Sequence, residues 1–489
     1  MLRPPAATRP LVLPLVLLVL ASGCTGDGTR AAAGPAGPAG HVGAAGLGDP
    51  YFPGLGNGGY DVEHYGLTLD YTPATGRLKG VAEITARATQ DLGAFNLDFA
   101  GMTVDSATVD GASAAVRRDG TELTLRPRAR LGRGDTFRTV VRYSGVPRRI
   151  TDADGSQEGW LVDAAEDGRR VVALGEPTGS MAWFPGNHHP SDKASYDITV
   201  TVPAGLGLKA VSNGELRSER TRDGRTSFAW HEPAPMASYL ATVAIGPYRT
   251  KATAGTKNVV PLYTAVDPTV VNDSAALLAA VPRVMKWSER NFGPYPFSSG
   301  GLIIGRPGDA EYALETQTRP FLPGPTATET LVHEVAHQWF GNSVTPKTWR
   351  DMWLSEGFAT YAEWLWLAET EGVPVGDSFA EAYADQANWA FPPAVPPSAA
   401  RISDPPVYGR GAMVLQRVRE AVGDDTFFRI VRGWAREHRH GNAGTGDFTA
   451  YVEREAGGSG ASGPSGTAGR KLESVWDAWL YGKAKPPLG

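Results

Sequence analysis

The sequence predicts a multidomain α+β protein, in which an antiparallel β sandwich or saddle domain precedes a mostly helical domain with a small edge sheet. Short runs that alternate between apolar and polar residues recur over residues 60–248. Longer runs with apolar residues three and four positions apart begin at residue 275. The 489 residues are 42% hydrophobic, so the 60 glycines and 38 prolines indicate many turns rather than disorder.

Residues 1–24 have the composition of a lipoprotein signal peptide. Arg3 and Arg9 precede an apolar run that is too short to span a bilayer, and Cys24 ends a lipobox-like segment. We therefore expect secretion across the cytoplasmic membrane and a lipid anchor on Cys24 that holds the protein on the outer face of that membrane. The alternative is an ordinary signal peptide, whose cleavage releases the protein outside the cell.

The composition also limits what the rest of the chain can be. Cys24 is the only cysteine, so an intrachain disulfide is excluded. The net charge of −5 is small for this length and argues against nucleic acid as a partner. Residues 25–50 are rich in alanine, glycine and proline, and we expect them to form a flexible tether.

Two domains are predicted after the tether, at residues 51–250 and 251–489. The strands predicted in the first domain are residues 65–70, 81–88, 121–126, 137–143, 196–202 and 240–245. In the second domain, residues 302–305 read as a buried strand and residues 311–316 as an edge strand.

Several helices are predicted in the second domain from apolar periodicity and end signals. Asn272 or Asp273 is expected to cap the first, and a capping box of Thr326 and Glu329 is expected to begin the second, which Gly341-Asn342 ends. The other predicted helices are residues 350–371, 413–422, 427–436, 448–455 and 471–481.

The second of these helices carries the sequence His-Glu-x-x-His at His333, Glu334 and His337. Side chains four positions apart lie on one face of a helix, so the two imidazoles can hold one Zn²⁺. The same pattern also arises by chance on an amphipathic helix. A zinc site needs a third protein ligand, and Phe340 and Ser343 stand where a third histidine motif would need Gly and His, so the candidate is Glu356.

A longer stretch resembles a known family. The segment HEVAHQWFGNSVTPKTWRDMWLSEGFATYAEW is similar to the core of the aminopeptidase-N-like zinc metallopeptidases, a group of gluzincins. The resemblance implies a thermolysin-like catalytic domain behind an N-terminal β domain. It also implies one Zn²⁺ per chain held by His333, His337 and Glu356, with Glu334 as general base.

Three further segments extend the resemblance. Glu176 matches the acid of the family's Q-x-E-P-T loop, with Leu174 in place of glutamine, and Glu315 aligns with the glutamate of the G-x-M-E-N motif. In the family both acids bind the free amine of the substrate, and a carboxylate can do this by a charge-assisted hydrogen bond. Tyr408 matches the family's Y-x-K-G-A segment, with Arg410 for lysine, and is implied to donate a hydrogen bond to the developing oxyanion.

Four residues near these motifs have open roles. Asp351 and Glu363 could orient a zinc ligand or could be ordinary surface or capping carboxylates. His188 and His189 are interpreted as loop residues rather than ligands. Larger members of the family continue into a further β domain and a helical C-terminal domain, so we expect a more open cleft here.

The predicted function is that of a zinc-dependent aminopeptidase, which hydrolyses the N-terminal residue from peptides with a free N-terminus. Two alternatives remain: a zinc endopeptidase that shares the metal site, and a catalytically silent surface lipoprotein that keeps only the fold.

Overall fold

The first half of the chain forms β-sheet because buried and exposed residues alternate along its segments. The computed structural model describes residues 41–163, 168–256, 259–457 and 467–488. The strands of the first half are β1 (His41–Val42), β2 (Tyr60–Thr72), β3 (Arg77–Ala88), β4 (Leu92–Asp98), β5 (Thr103–Val109), β6 (Ala112–Ser113), β7 (Ala115–Asp119), β8 (Glu122–Arg126), β9 (Thr136–Gly145), β10 (Arg149–Thr151), β11 (Gln157–Val162), β12 (Val171–Leu174), β13 (Lys193–Pro203), β14 (Lys209–Ser212), β15 (Glu215–Arg222), β16 (Arg225–Ala237) and β17 (Val243–Gly246).

These strands form three sheets. An eight-stranded sheet has the order β15-β16-β13-β2-β3-β9-β5-β6, a five-stranded sheet has the order β10-β11-β12-β17-β14, and a four-stranded sheet has the order β1-β4-β8-β7. The pairing is antiparallel except at β2 with β13 and at β1 with β4. The five-stranded sheet matters for function, because the loop that follows β12 carries Glu176.

Two expectations for this region need correction. Residues 41–50 are not a tether, because β1 pairs with β4. The Asp49 side chain is also buried, and it accepts hydrogen bonds from the Tyr51 amide in its own loop and from the Trp349 amide in the second domain. Residues 240–245 are not one strand either, because a helical turn at Ser238–Leu240 precedes β17. Residues 1–40, with the predicted signal peptide and Cys24, lie outside the described residues.

The second half is mostly helical, with a small sheet of the strands β18 (Arg249–Thr253), β19 (Leu262–Val266), β20 (Gly300–Ile304) and β21 (Phe321–Leu322) and a short pair of β22 (Thr345–Pro346) with β23 (Asn442–Ala443). The helices are α1 (Ala275–Phe292), α2 (Thr328–Ala336), α3 (Trp353–Thr370), α4 (Val375–Ala384), α5 (Gly411–Val422), α6 (Asp424–Glu437), α7 (Thr445–Gly457) and α8 (Thr467–Val475). In the described part of the chain, no helix combines the length and the apolar character needed to cross a membrane.

The bounds of α1 agree with the prediction, but its cap residue and both ends of α2 differ from it. The residue before α1 is Ser274. Ala327 precedes α2, and the Thr326 hydroxyl donates to the Ala327 carbonyl at 3.2 Å, so the predicted capping box does not form. The α-helical geometry of α2 ends at Ala336, and turns of mixed width continue the chain to residue 344. The predicted end at Gly341-Asn342 therefore lies within these turns, beyond the end of the α-helix.

The predicted edge strand at residues 311–316 is not a strand. Only Leu314 pairs there, in an isolated bridge with Phe321. The next carbonyl, that of Glu315, accepts hydrogen bonds from the side chains of Gln338 at 3.2 Å and Asn342 at 2.7 Å. Because those side chains occupy the backbone group that a neighbouring strand would use, the segment stays extended without joining a ladder.

Candidate active site

The core of the site is built by α2 and α3. His333 lies in the last turn of α2, His337 directly follows this helix, and Glu356 projects toward both from α3. Glu356 Oε2 lies 3.1 Å from His333 Nε2 and 3.4 Å from His337 Nε2. One potential ligand atom from each of the three residues lies within 4.8 Å of the others. The spacing predicted from the sequence thus brings all three side chains together.

The second nitrogen of each imidazole is also engaged. His333 Nδ1 lies 2.5 Å from Glu363 Oε1, while His337 Nδ1 lies 3.0 Å from Ser355 Oγ and 3.1 Å from the Phe340 carbonyl. Hydrogen bonds at Nδ1 orient each ring and leave Nε2 for a metal. Glu363 is therefore well placed to orient a ligand.

Asp351, the other residue considered for that role, does not contact either histidine. Its carboxylate accepts hydrogen bonds at 2.8 Å from the Thr445 amide and from the Thr445 hydroxyl. The 3₁₀ turn Trp349–Asp351 directs this side chain toward the start of α7, so Asp351 joins two segments of the domain instead.

The donor set fits zinc. Two imidazole nitrogens and one carboxylate oxygen are the ligands of many catalytic zinc sites and leave the fourth position open. Burial opposes ionisation of Glu356, but the nearby His337 and His333 outweigh it and hold the pKa of Glu356 well below its usual range. Burial likewise opposes protonation of His337, yet the charges of Glu356 and Glu315 raise its pKa to about 9. A site that attracts positive charge this strongly suits a divalent cation.

Glu334 lies one position after His333 and faces the same space. Its side chain is only 5% exposed, and Oε2 has no hydrogen-bond partner among the described residues. Burial raises the pKa of Glu334 to about 8, although both histidines act in the opposite direction. A carboxyl group with this pKa can accept and return a proton near neutral pH.

Two further glutamates approach from outside the zinc helices. Glu176 follows β12 of the first domain, and Glu315 lies on the extended segment before β21. Ligand-forming oxygens of Glu176, Glu315 and Glu356 lie within 4.8 Å of one another. Burial, and then the neighbouring carboxylates, raise the pKa of Glu176 well above its usual range. Burial also raises the pKa of Glu315.

Tyr408 approaches the site beside His333. It belongs to the π-helical turn Pro406–Arg410, which leads directly into α5. Its ring is nearly parallel to the His333 ring, at 15° and with 6.1 Å between centroids. The neighbouring Arg410 is buried and donates to the Trp479 carbonyl at 2.8 Å, which fixes the turn that carries Tyr408.

All seven predicted site residues line one cavity of about 300 Å³. The cavity also includes residues that the sequence analysis did not single out as site residues, namely Asp152, Asp154, Ser156, Tyr312 and Ser403. By contrast, His188 and His189 lie elsewhere in a loop, where His188 bonds Ser238 at 3.0 Å and His189 bonds Ser191 at 2.6 Å. Their interpretation as loop residues is confirmed.

Sequence reasoning missed the residues that support the site. Ser355 bonds the ring of His337, and the side chains of Gln338 and Asn342 hold the Glu315 carbonyl. Ser355 directly precedes the zinc ligand Glu356, so its place in the sequence could have indicated a role near the metal. The partners of Gln338 and Asn342 lie more than twenty residues away along the chain, and no local pattern predicts them.

The fold and the site together define a class of protein. A helix with His-Glu-x-x-His, followed by a second helix that supplies a glutamate, is the arrangement of a zinc metallopeptidase of the gluzincin type. Residues 61–240 match the family model of the peptidase M1 N-terminal domain, and residues 315–479 match that of the peptidase family M1 domain. The chain belongs to the M1 family of zinc metallopeptidases.

Solved structures agree with this assignment. An M1 zinc metallopeptidase from Deinococcus radiodurans has a TM-score of 0.81 and 29% sequence identity, over 91% of this chain and 98% of that one. A glutamate-to-alanine mutant of the Deinococcus radiodurans M1 zinc metallopeptidase, solved with a Tyr-Ser-Ala substrate, has a TM-score of 0.81 and 28% identity, over 91% of this chain and 99% of that one. The expected family, the two-domain α+β architecture and the zinc cofactor are thereby confirmed.

Curated relatives are longer. Aminopeptidase N of Streptomyces lividans is 25% identical over 86% of this chain and 50% of its own length. Leucyl aminopeptidase of Saccharolobus solfataricus is 24% identical over 79% of this chain and 50% of its own length. The chain thus spans about half the length of these two relatives.

Proposed function

We propose that the protein is a zinc-dependent aminopeptidase that hydrolyses single residues from the free N-terminus of peptides. The observation that carries this proposal is the position of Glu176 and Glu315 beside the zinc ligands in one cavity. Glu315 is 3% exposed, and its Oε1 has no partner among the described residues. A buried carboxylate without a partner is costly, and the ammonium group of a substrate would satisfy it.

The roles of the chain's own groups follow from their positions. Zinc, when bound by His333, His337 and Glu356, supplies the Lewis acidity that polarises the scissile carbonyl and activates water. Glu334 accepts the proton of the attacking water and passes it to the leaving amine. The Tyr408 hydroxyl donates a hydrogen bond to the oxygen on which negative charge develops.

The amine-binding glutamates determine where the peptide is cut. Glu176 and Glu315 hold the N-terminal ammonium next to the zinc ligands, so only the first peptide bond reaches Glu334. The names of the curated relatives, aminopeptidase N and leucyl aminopeptidase, support the same activity. An endopeptidase would instead need a site that accepts an extended chain on both sides of the metal.

The decisive experiment compares amino-acid anilides with free and with N-acetylated amines, before and after chelation. We expect hydrolysis of the free-amine substrates, its loss with a zinc chelator and its recovery on addition of Zn²⁺. Equal rates on acetylated substrates would favour the endopeptidase, and absence of any metal-dependent hydrolysis would favour a silent surface protein.

Two substitutions test the individual roles. Glu334→Gln should lower kcat by about 10³-fold with zinc still bound, since removing a general base commonly costs 10²–10⁴-fold. Glu315→Ala should raise the KM of free-amine substrates. Retained turnover in the first variant, measured with its zinc content, would refute the role of Glu334 as base, and an unchanged KM in the second would remove Glu315 from the amine site.

We also propose that the enzyme is lipid-anchored outside the cytoplasmic membrane through Cys24. The support is the order of charged, apolar and small residues over residues 1–24. Expression of the full chain in a bacterial host tests it: the protein should fractionate with membranes and incorporate labelled fatty acid. Cys24→Ser should release it from the membrane fraction, and unchanged fractionation would contradict the anchor.

A further inference from the structure

The hairpin that joins β10 and β11 contributes two aspartates to the cavity. Asp152 and Asp154 both line it, together with Ser156. The loop is held by its own hydrogen bonds: the Gly155 amide donates to the Asp152 carbonyl at 3.0 Å, and the Ser156 amide donates to Asp154 Oδ1 at 2.8 Å. This loop is separate in sequence from all the residues to which the proposed function gives a role.

The strand pairing shows where along the cavity the aspartates lie. β11 follows their hairpin and pairs with β12, and Glu158 of β11 accepts hydrogen bonds from Thr178, two residues after Glu176. Burial raises the pKa of the Tyr312 hydroxyl, and Glu158, Glu176, Asp154 and Asp152 raise it further. Asp152 also raises the pKa of Glu158. Glu176, Glu315 and Glu356 form a separate group of carboxylates, whose oxygens lie within 4.8 Å of one another.

These relations give the cavity an order. Glu176 and Glu315 adjoin the zinc ligand Glu356, and the hairpin with Asp152 and Asp154 leads into β11, which pairs with the strand before Glu176. A substrate whose ammonium binds Glu176 and Glu315 has its first side chain close to the amine, because both are attached to the same Cα. The end with the two aspartates is therefore open to that side chain.

Apart from the two histidines that would hold zinc, the charged groups of the lining are acidic. The lining contains four glutamates and two aspartates, and no lysine or arginine. Glu315 and Glu334, both more than nine-tenths buried, each point an oxygen without a hydrogen-bond partner into it. The Tyr312 hydroxyl likewise has no partner among the described residues. In the proposed function the substrate ammonium satisfies Glu315 and the attacking water satisfies Glu334, so the Tyr312 hydroxyl remains as a lining group that a further part of the ligand can bind.

We propose that Asp152 and Asp154 form the subsite for the side chain of the substrate's first residue, and that they select lysine or arginine there. This inference rests on the proposed aminopeptidase function. A long cationic side chain pairs with the two carboxylates, and Tyr312 covers its aliphatic part. A neutral side chain of the same length leaves the aspartates without a partner, and an acidic one is repelled.

Lysine and norleucine form a matched pair of substrates, since their side chains have nearly the same length and differ in charge. We expect kcat/KM for the lysine anilide to exceed that for the norleucine anilide by about tenfold in dilute buffer, and the glutamate anilide to be the poorest. The ratio of lysine to norleucine should fall toward one in the Asp152→Asn/Asp154→Asn double variant. It should also fall with added salt, because Asp154 is exposed and therefore screened.

The matched control is Asp119→Asn. This aspartate is also in a hairpin of the first domain, its side chain is 84% exposed, and it does not line the cavity. Its lysine-to-norleucine ratio should equal that of the unmodified enzyme. Unfolding midpoints of all variants establish that the double variant is folded.

The outcomes separate this inference from the function on which it rests. A lysine-to-norleucine ratio of one or less in the unmodified enzyme overturns the subsite and leaves the aminopeptidase intact. If the folded double variant keeps the lysine-to-norleucine ratio of the unmodified enzyme, the role of the two aspartates is overturned. If none of the anilides is hydrolysed, the proposed function fails, and calorimetry with lysine amide and norleucine amide decides the subsite: equal or weaker binding of lysine amide overturns it.

Discussion

His333 lies between two carboxylates, and each of them contacts a different nitrogen of its ring. Glu356 faces Nε2 at 3.1 Å, while Glu363, two turns further along α3, lies 2.5 Å from Nδ1. A hydrogen bond from Nδ1 to a carboxylate fixes the tautomer and makes Nε2 a better metal donor. His337 lacks such a partner and relies on Ser355 and a backbone carbonyl.

Removing the charge next to His333 should therefore weaken metal binding. Glu363→Gln keeps an oxygen that can accept from Nδ1 but loses its charge, and we expect zinc affinity to fall about tenfold or more. Competition with a chromophoric chelator measures it. Glu371→Gln, an exposed change just beyond the same helix, is the control. Identical zinc affinities for Glu363→Gln and the unmodified protein would show that Glu363 does not support the ligand.

At the scale of elements, the pairing of β4 with β8 places two acids opposite each other. Asp98 and Glu122 are partners in the register of these strands. Asp98 accepts amide hydrogen bonds from His188 at 2.9 Å and Gly56 at 3.1 Å, whereas the partner of the Glu122 carboxyl group is Asp98 itself. Burial raises the pKa of Asp98 to about 7, and burial together with Asp98 raises that of Glu122 to about 8.

This pair should make the fold less stable in alkaline solution. Because both pKa values are higher in the folded state than in the unfolded chain, the folded state holds more protons between about pH 4.5 and pH 8. The free energy of unfolding therefore falls as the pH rises through that window.

Glu122→Gln removes one ionisable member of the pair. Relative to the unmodified protein, its stability should rise from about pH 5 to about pH 8.5 by about 1 to 3 kcal/mol. Urea unfolding at both pH values measures this difference. Asp223→Asn, in the turn between β15 and β16 with a side chain that is 90% exposed, should show no such trend. If Glu122→Gln changed the free energy of unfolding by the same amount at both pH values, the raised pKa values of Asp98 and Glu122 would be contradicted.

In the whole molecule, the first domain contributes to the geometry of the site. Lys193 of β13 donates from Nζ to the carbonyls of Asn342 at 2.9 Å and Ser343 at 3.0 Å, in the loop that follows the zinc helix. Asn342 in turn holds the Glu315 carbonyl. Tyr239 of the first domain donates to the Gly341 carbonyl at 3.2 Å. The amine-binding region thus depends on both domains.

Loss of the Lys193 contact should affect stability and substrate binding together. Lys193→Met leaves the buried Ser343 carbonyl without a donor among the described residues, while Thr345 still donates to the Asn342 carbonyl, and we expect the free energy of unfolding to fall by about 1 to 3 kcal/mol. The KM for free-amine anilides should rise, because Asn342 no longer fixes Glu315. Lys79→Met, an exposed change on β3, is the control for loss of a lysine. A destabilised variant with an unchanged KM would limit Lys193 to a structural role.

The sequence alone predicted those elements and side-chain positions that depend on residues close to one another along the chain. The alternation in β2, β3, β9 and β13 and the boundaries of α1 follow from local periodicity. The spacing of His333 and His337 places them on one helix face, and the resemblance to the aminopeptidase-N-like metallopeptidases indicated Glu356.

Contacts between segments that are distant in sequence determined the features that the sequence did not predict. Residues 311–316 have the composition of a strand, yet the side chains of Gln338 and Asn342, which follow α2, donate hydrogen bonds to the Glu315 carbonyl. Residues 41–50 look like a tether, yet they add β1 to a sheet and bury Asp49. Asp351 and Glu363 were equal candidates in sequence, and only the packing of α3 against α2 brings Glu363, and not Asp351, to His333. Helix and strand periods depend on neighbours along the chain, whereas the choice of partner for a buried polar group depends on which distant segments the fold brings within hydrogen-bonding distance.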